Sequence, residues 1–419
     1  MSADEQGRPK GGLFYGWYIV ATVFVSQTVS CGLIFYNLSI LLKVFVAQSG
    51  FSVSATSTAT ASFFIAGGVA GLGVGWLIDR YDPRIIITFG AICAACALAF
   101  AGHVHALWQL YLFYILFGIG NAAVAVIPGI TIVARWFSRQ RSRAIAYAST
   151  GLSLGGIIFT PISVTLIQNL GLEHAAYWFA LILILGTVPI SWIFLRPDPA
   201  SMGLAPDGDA PKLDSDGRML APDGVSFEEA IRSRFFILFT TAYVFSMMAQ
   251  VGSLAHQVRL VATRTGDDHI AALAVSVMAA ASVTGRLVGG SVLHRISSKR
   301  YLQGVFILQA AAFTLFAFAE GATALLIVSA MFGATVGNMQ MMQPLIVAEA
   351  FGLKAYARIL SLAQMITTCA NAIGPALMGF LYERAGGYEV PYLAIAASSL
   401  IGITALTAAG PVRAMIDKR

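Results

Sequence analysis

The chain has 419 residues, 58% of them hydrophobic and 11% charged, with a mean hydropathy of +0.77. A soluble domain carries about twice that charge fraction, so an ordinary water-soluble globular protein is excluded and a bilayer is the solvent for most of the chain. The net charge of +6 follows from how basic residues are spread between apolar runs, and does not indicate nucleic-acid binding.

The N-terminal segment MSADEQGRPKGG is polar, and the apolar run behind it continues past the length of a signal h-region. No cleavable signal peptide is expected; the run reads as a retained first span. Twelve apolar runs follow one another, near 15–42, 55–78, 85–103, 108–134, 142–169, 174–195, 234–261, 270–293, 301–319, 322–350, 356–383 and 389–410. Each is long enough to cross the hydrocarbon core as a helix. The third contains Cys93-Ala-Ala-Cys96. That spacing suits redox or metal chemistry in other settings, but among Ala and Ile in an apolar span it reads as small-residue packing.

A polar interruption at 196–233, rich in Pro, Gly and Asp, divides the spans six and six and repeats the tetrapeptide Ala-Pro-Asp-Gly. Its last part, Ser226-Phe-Glu-Glu-Ala-Ile-Arg, predicts a short amphipathic surface helix. If the spans alternate in direction, Lys43, Arg259, Arg264 and Arg384 fall on one side, Arg286 lies inside a span, and the other 21 of the 26 Lys and Arg share a side with both termini. The positive-inside rule then predicts cytoplasmic termini.

The two halves are alike. Gly75-Trp-Leu-Ile-Asp79-Arg80 after the second span has its counterpart in Gly290-Ser-Val-Leu-His294-Arg295 after the eighth, at an offset of 215. Phe137 precedes Pro161 by 24 residues and Phe351 precedes Pro375 by 24, at an offset of 214. Two distant matches at nearly one offset predict a duplicated six-helix unit, an arrangement used by transporters with a site between the repeats.

Asp79-Arg80, with Gly75 before and Arg84 after, resembles the signature between the second and third spans of the major facilitator superfamily, with Asp82 where that pattern usually has Gly. Trp136-Phe-Ser-Arg139-Gln-Arg141-Ser-Arg143-Ala144-Ile-Ala146-Tyr-Ala148-Ser-Thr-Gly151 is similar to the signature YFxKRRxLAxGxAxAG of its monocarboxylate porter family. It matches at Phe137, Arg139, Arg141, Ala144, Ala148 and Gly151, and departs at Gln140 and Arg143. The start of the central loop and LAHQVRLVATRTG at the end of the seventh span look like bacterial members and their oxalate/formate relatives. The resemblance implies an all-α membrane protein with twelve transmembrane helices in two pseudo-symmetric six-helix bundles, 1–195 and 234–419, joined by a cytoplasmic loop at 196–233. It further implies a secondary transporter in a bacterial inner membrane, a monomer, with a small monocarboxylate anion and a proton as its partners.

Arg286 is the sole formal charge between Ile270 and Leu293. It lies about eight residues, roughly 12 Å, from the end of its span, beyond comfortable snorkelling, so it must face protein or water at a cost of several kcal/mol. Its forked guanidinium suits a carboxylate, and the acids nearest the spans, Asp79 and Glu349, both lie near span ends. Either another helix or an anionic substrate answers this charge; the monocarboxylate resemblance implies the substrate. Animal relatives carry an Asp four residues earlier and a Lys in the first span, where this chain has Ser282 and Ser39. Oxalate transporters pair the arginine with a Lys whose place is taken by Thr367. One central positive charge favours a monoanion over a dianion.

Further site candidates are Tyr36 and Asn37 beside Phe35 in the first span, Asn121 in the fourth, Tyr147, Ser149 and Ser153 in the fifth, and Asn338 in the tenth. Each either lines the cavity or packs helices, and Gln340, Gln343 and Gln364 stand the same way. His256, near the outer end of the seventh span, is either a proton relay or an interfacial histidine. By resemblance, Asp79, Arg80 and Arg84, with Arg139 and Arg141, form the switch that latches cytoplasmic helix ends. No mid-span carboxylate is available as a proton carrier, so symport would place the proton on His256 or on the substrate. Nothing in the sequence calls for a metal, a cofactor or a catalytic nucleophile–base pair. A carboxylate exchanger is the near alternative; a drug extruder and a transporter-like sensor are more distant.

Overall fold

In a computed structural model of the chain, the described residues are 14–49, 51, 53–209, 223–371 and 373–412. Among them, eleven helices are long and apolar enough to cross a bilayer. One is two crossings in sequence. Arg141–Phe194 has 54 residues, about 80 Å of helix against a hydrocarbon core of about 30 Å. Its backbone leaves the helical region at Gly171, with φ 74° and ψ 167°, a conformation open essentially to glycine alone. The spans are therefore α1 (Gly16–Ala47), α2 (Val53–Ile78), α3 (Pro83–His103), α4 (Leu107–Trp136), α5 (141–170), α6 (172–194), α7 (Arg234–Thr265), α8 (Asp268–Val292), α9 (Ser298–Phe318), α10 (Ala322–Phe351), α11 (Tyr356–Ala385) and α12 (Glu389–Ala408).

Two spans are irregular where the sequence reading treats them as uniform. α1 widens into a π-helical turn at Cys31–Tyr36. α4 breaks at Ala125, with φ −87° and ψ −120°, just before Pro128, which lacks the N–H that would bond the carbonyl one turn back. The short surface helix is Phe227–Arg232. Ser226 opens it with a capping box: Ser226 N–H donates to Glu229 Oε2 at 3.0 Å and Glu229 N–H donates to Ser226 Oγ at 3.3 Å.

The described residues form two compact units. One comprises Met1–Asp223 with Leu353–Leu362, the other Gly224–Gly352 with Ala363–Arg419. Within each, small residues let backbones meet, as expected where lipid removes the hydrophobic drive between helices. In the first unit a Cβ on Gly118 of α4 would strike the Phe63 carbonyl of α2; in the second, a Cβ on Gly333 of α10 would strike the Met278 carbonyl of α8. Both positions of this contact are related by an offset of 215, Gly118 to Gly333 and Phe63 to Met278. The α1–α5 seam is built on Gly32 and Gly155, and the α7–α11 seam on Gly252 and Gly374. The duplication read from sequence is thus also a duplication of packing.

Each unit has its own core. Val74, Ile78, Ile86, Ala123, Ile127 and Ala357 cluster in the first. Phe313, Phe316, Phe332 and Tyr392 interlock in the second, with ring centroids of adjacent pairs 5.2–6.3 Å apart. Arg264 closes that unit's α9 by donating to the carbonyls of Phe316, Ala317 and Ala319 at 2.6–2.7 Å, satisfying acceptors that a helix end leaves open.

Candidate functional site

Arg286 is completely buried. Close approach of α8 to α10, where Gly337 lies against Ser282, brings its Nε–H to the Gly337 carbonyl at 3.0 Å and one terminal nitrogen to Gln340 Oε1 at 2.9 Å. Both acceptors are neutral. They take the place of water around the guanidinium. Gln340 is itself exposed, so the fork ends one side chain from accessible space. Glu349 accepts from Ser298 Oγ at 2.8 Å.

The other candidates divide by what their polar atoms already do. Asn338 is committed: its Nδ2 donates to Ala334 O at 2.8 Å and its Oδ1 accepts from Tyr301 OH at 2.9 Å, bridging α9 and α10. Thr367 donates to Ala363 O at 2.7 Å and accepts from Gln343 Nε2 at 3.2 Å. Asn37 is the opposite case. It is fully buried at the end of the π turn, and neither amide atom has a hydrogen-bond partner among the described residues. Such a group costs roughly 1–3 kcal/mol until a ligand or water meets it, and π turns in membrane helices favour functional positions. Tyr36, beside it, is partly exposed and lays its ring on Gly156 of α5. Asn121 is half-buried in the turn before the α4 break. Tyr147 is partly exposed and packs on Trp17, with centroids 5.8 Å apart, whereas Ser149 is buried.

His256 joins three elements of the second unit. Its Nε2 lies 3.2 Å from the Pro375 carbonyl of α11 and its Nδ1 lies 3.5 Å from Tyr388 OH. A carbonyl only accepts, so Nε2 carries the proton and in the neutral ring Nδ1 accepts from the tyrosine. Arg259 lies over Tyr382, 4.8 Å from its centroid, and Tyr382 packs on Tyr388. Counted from the α7–α8 turn, His256 is nine residues down its helix and Arg286 eighteen beyond Asp268. The difference of about 13 Å is too great for one hydrogen bond to carry a proton between them.

A second charged cluster occupies the first unit. Asp79 is nearly buried between Arg135 of α4, at 3.5 Å, and Arg358 at the start of α11, at 3.3 Å. Arg135 also donates to the Ile78 carbonyl at 3.2 Å. Burial lifts the Asp79 pKa above its ordinary range, outweighing the pull of the two guanidiniums. Three residues on, Asp82 shifts the other way. Burial pushes its pKa up, but hydrogen bonds and charge from Arg84 carry it below the usual value. Asp82 caps the start of α3 and forms an ion pair with Arg84 at 2.6 Å. Arg84 also lies over Trp192, and Arg80 over Trp76. Arg139 pairs with Asp209 at 2.5 Å, and Arg141 donates to the carbonyls of Ala134 and Phe137. The five residues grouped by resemblance as a switch therefore have five different local partner sets.

Sequence reasoning gave no role to Arg135 and Arg358 as partners of Asp79, to the Gly337 carbonyl, or to Tyr301. The Asp79–Arg358 contact spans 279 residues, and no local spacing announces it. Gln340 was visible as an amide three residues beyond Gly337, but nothing in the chain joins it to a helix more than fifty residues away. Cys93 donates to the Leu116 carbonyl at 3.3 Å, and both Cys93 and Cys96 are free thiols.

Comparison with known proteins adds an independent line. A family model described as Major Facilitator Superfamily matches residues 24–266 and 257–415. The chain is 25% identical over 401 residues to monocarboxylate transporter 13 of Bos taurus, covering 94% of this chain and 88% of that protein. It is 26% identical over 200 residues to the oxalate:formate antiporter of Oxalobacter formigenes, covering 47% of each. Its backbone superimposes on the crystal structure of the E. coli fucose:proton symporter with a TM-score of 0.69 at 16% identity, covering 94% of this chain and 99% of that one.

Proposed function

Because the chain belongs to the Major Facilitator Superfamily, as a multi-pass membrane transporter, we propose that it carries small monocarboxylates of the lactate or pyruvate kind by proton symport. The single observation that carries this reading is Arg286: a fully buried guanidinium on α8, solvated by the Gly337 carbonyl and by an exposed Gln340. A planar fork in a low-dielectric site binds a carboxylate bidentately and holds its own charge at every accessible pH. The name of the bovine relative, a monocarboxylate transporter, supports the same substrate class.

Within the second unit Arg286 supplies the charge; within the first, Asn37 is a buried amide whose hydrogen bonds are still to be met. Tyr36, Asn121, Tyr147 and Ser149 serve as lining, while Asn338 and Thr367 act by holding α10 in place. Substrate entering with a proton leaves the loaded carrier with the charge of the empty one. The proton rides on the substrate or on His256, whose hydrogen bonds to α11 and Tyr388 would change on protonation. Asp79 with Arg358 forms the contact that opens and closes as access alternates, and Arg80, Arg84, Arg139 and Arg141 fix the loops around it. The transporter functions as a monomer in a bacterial inner membrane with both termini in the cytoplasm, consistent with the distribution of Lys and Arg.

Uptake of labelled lactate and pyruvate into proteoliposomes under an inward proton gradient tests this. Accumulation in the wild type and its loss in Arg286→Ala are expected. A wild type that ignores the gradient and both acids would overturn it. Anion exchange is the second reading, favoured by the match to an oxalate:formate antiporter. Acceleration of uptake by carboxylate loaded on the far side, with no response to the proton gradient, would select it.

A further inference from the structure

The central loop writes Ala-Pro-Asp-Gly twice, at 205–208 and 221–224, and transport as proposed above makes no use of the repeat. In the first copy, Asp207 is the one non-glycine among the described residues with positive φ, at 60°, a strained conformation that persists where surroundings fix it. The bend aims its carboxylate at the turn between α4 and α5. Oδ2 accepts from Ser138 N–H at 2.9 Å and Arg139 N–H at 2.6 Å, and Oδ1 accepts from Gln140 N–H at 3.3 Å. These are donors of the turn that leads into α5, ending at its N-cap residue, Gln140, which offers no side-chain cap of its own. The contact is sealed by Phe14, which packs on Gly208 and against Trp136 and Phe137.

The second copy, whose Ala221 and Pro222 lie outside the described residues, meets the turn between α10 and α11. The Asp223 carbonyl accepts from Leu353 N–H at 2.8 Å, Val225 N–H donates to Phe351 O at 3.0 Å, and Gly224 bridges Gly352 in antiparallel fashion. At the offset of 214 that relates Phe137 to Phe351, Leu353 is the counterpart of Arg139. The same backbone N–H is taken in both turns by the Asp of an Ala-Pro-Asp-Gly segment, once by its side chain and once by its main chain.

We propose that the two segments are matched docking elements that fasten the central loop to the equivalent turns of the duplicated halves, with Asp207 as the positioning residue that holds the turn into α5 from 67 to 69 residues away. The occupant of each turn is this chain itself. The asymmetry of the two contacts gives a sharp test: the first needs a side-chain acceptor, the second does not.

Amide hydrogen exchange of the full-length protein in lipid nanodiscs, read by mass spectrometry, distinguishes them. Asp207→Ala is expected to speed exchange at 138–140 by roughly tenfold or more, with 351–353 unchanged. Asp207→Asn, which keeps an acceptor oxygen, should fall between wild type and Ala. Asp223→Ala should leave both turns at wild-type rates, because the carbonyl survives. In uptake assays Asp207→Ala should lower kcat with KM unchanged, and Asp207→Asn should restore part of the loss. Unchanged exchange at 138–140 in Asp207→Ala would overturn the proposal. So would faster exchange across all spans in that variant, or deprotection of 351–353 by Asp223→Ala.

Discussion

Asp79 and Arg286 are both buried charges in an apolar chain, and the protein treats them in opposite ways. Asp79 is answered by charge, with Arg135 and Arg358 within 3.5 Å. Arg286 donates to dipoles, a carbonyl and an amide oxygen. Opposite charges quench each other's field and fix geometry, at the cost of desolvating all three groups. Neutral oxygens lower the cost of burial without themselves cancelling a charge. The first arrangement suits a contact between helix ends, the second an anchor for an anion.

The strongest way to break this contrast is at Arg286. Truncating one member of a buried charge–ligand pair costs about 2–5 kcal/mol, roughly 30- to 5000-fold, so Arg286→Ala should reduce lactate uptake by that range. Arg286→Met, which retains much of the volume, should do the same while keeping or raising the Tm in detergent, since an apolar residue replaces a buried charge. A Met variant that transports normally would make Arg286 a structural residue. Asp79→Ala should differ by costing stability as well as impairing the alternating contact. It leaves two guanidiniums facing each other and should cost about 1–3 kcal/mol in thermal unfolding, reduced from the fully buried case because Arg135 and Arg358 reach solvent. An unchanged Tm would remove Asp79 from the framework.

Gln340 sharpens the comparison by converting one site toward the other. Gln340→Glu places a resident carboxylate on Arg286 and should raise KM by about tenfold without loss of Tm; Gln340→Ala should raise it about three- to tenfold. If neither substitution changes KM, the fork is not held by Gln340 in the working protein. The smallest effect is in pH. Asp79 has its pKa raised by burial, so the fold gains from its protonated form: that gain is full below the unfolded value and is lost as pH rises through the folded one. Asp82 has its pKa lowered, so its contribution is present above the unfolded value and is lost as pH falls through the folded one. The wild-type stability minus that of Asp79→Asn should therefore decline with rising pH across the carboxylate range, and the corresponding difference for Asp82→Asn should climb. Parallel slopes would contradict the opposite environments.

The sequence alone determined the solvent, the spans and the repeat. Apolar run length fixes what can cross a bilayer, and it located even the boundary at Gly171 between α5 and α6, hidden inside one 54-residue helix. Matching spacings around Phe137 and Phe351 announced the duplication, and the isolation of Arg286 in its span singled it out, because a lone charge in lipid is costly wherever it lies. The tertiary structure decided which polar groups are spent and which are free to act. Asn37 and Asn338 are alike as letters, yet among the described residues Asn338 is bonded on both sides and Asn37 on neither. Arg358 reaches Asp79 across 279 residues, and Asp207 reaches the turn into α5 across a central loop. Hydropathy is a sum over neighbours along the chain, whereas hydrogen bonds form between neighbours in space, and only folding makes those the same residues.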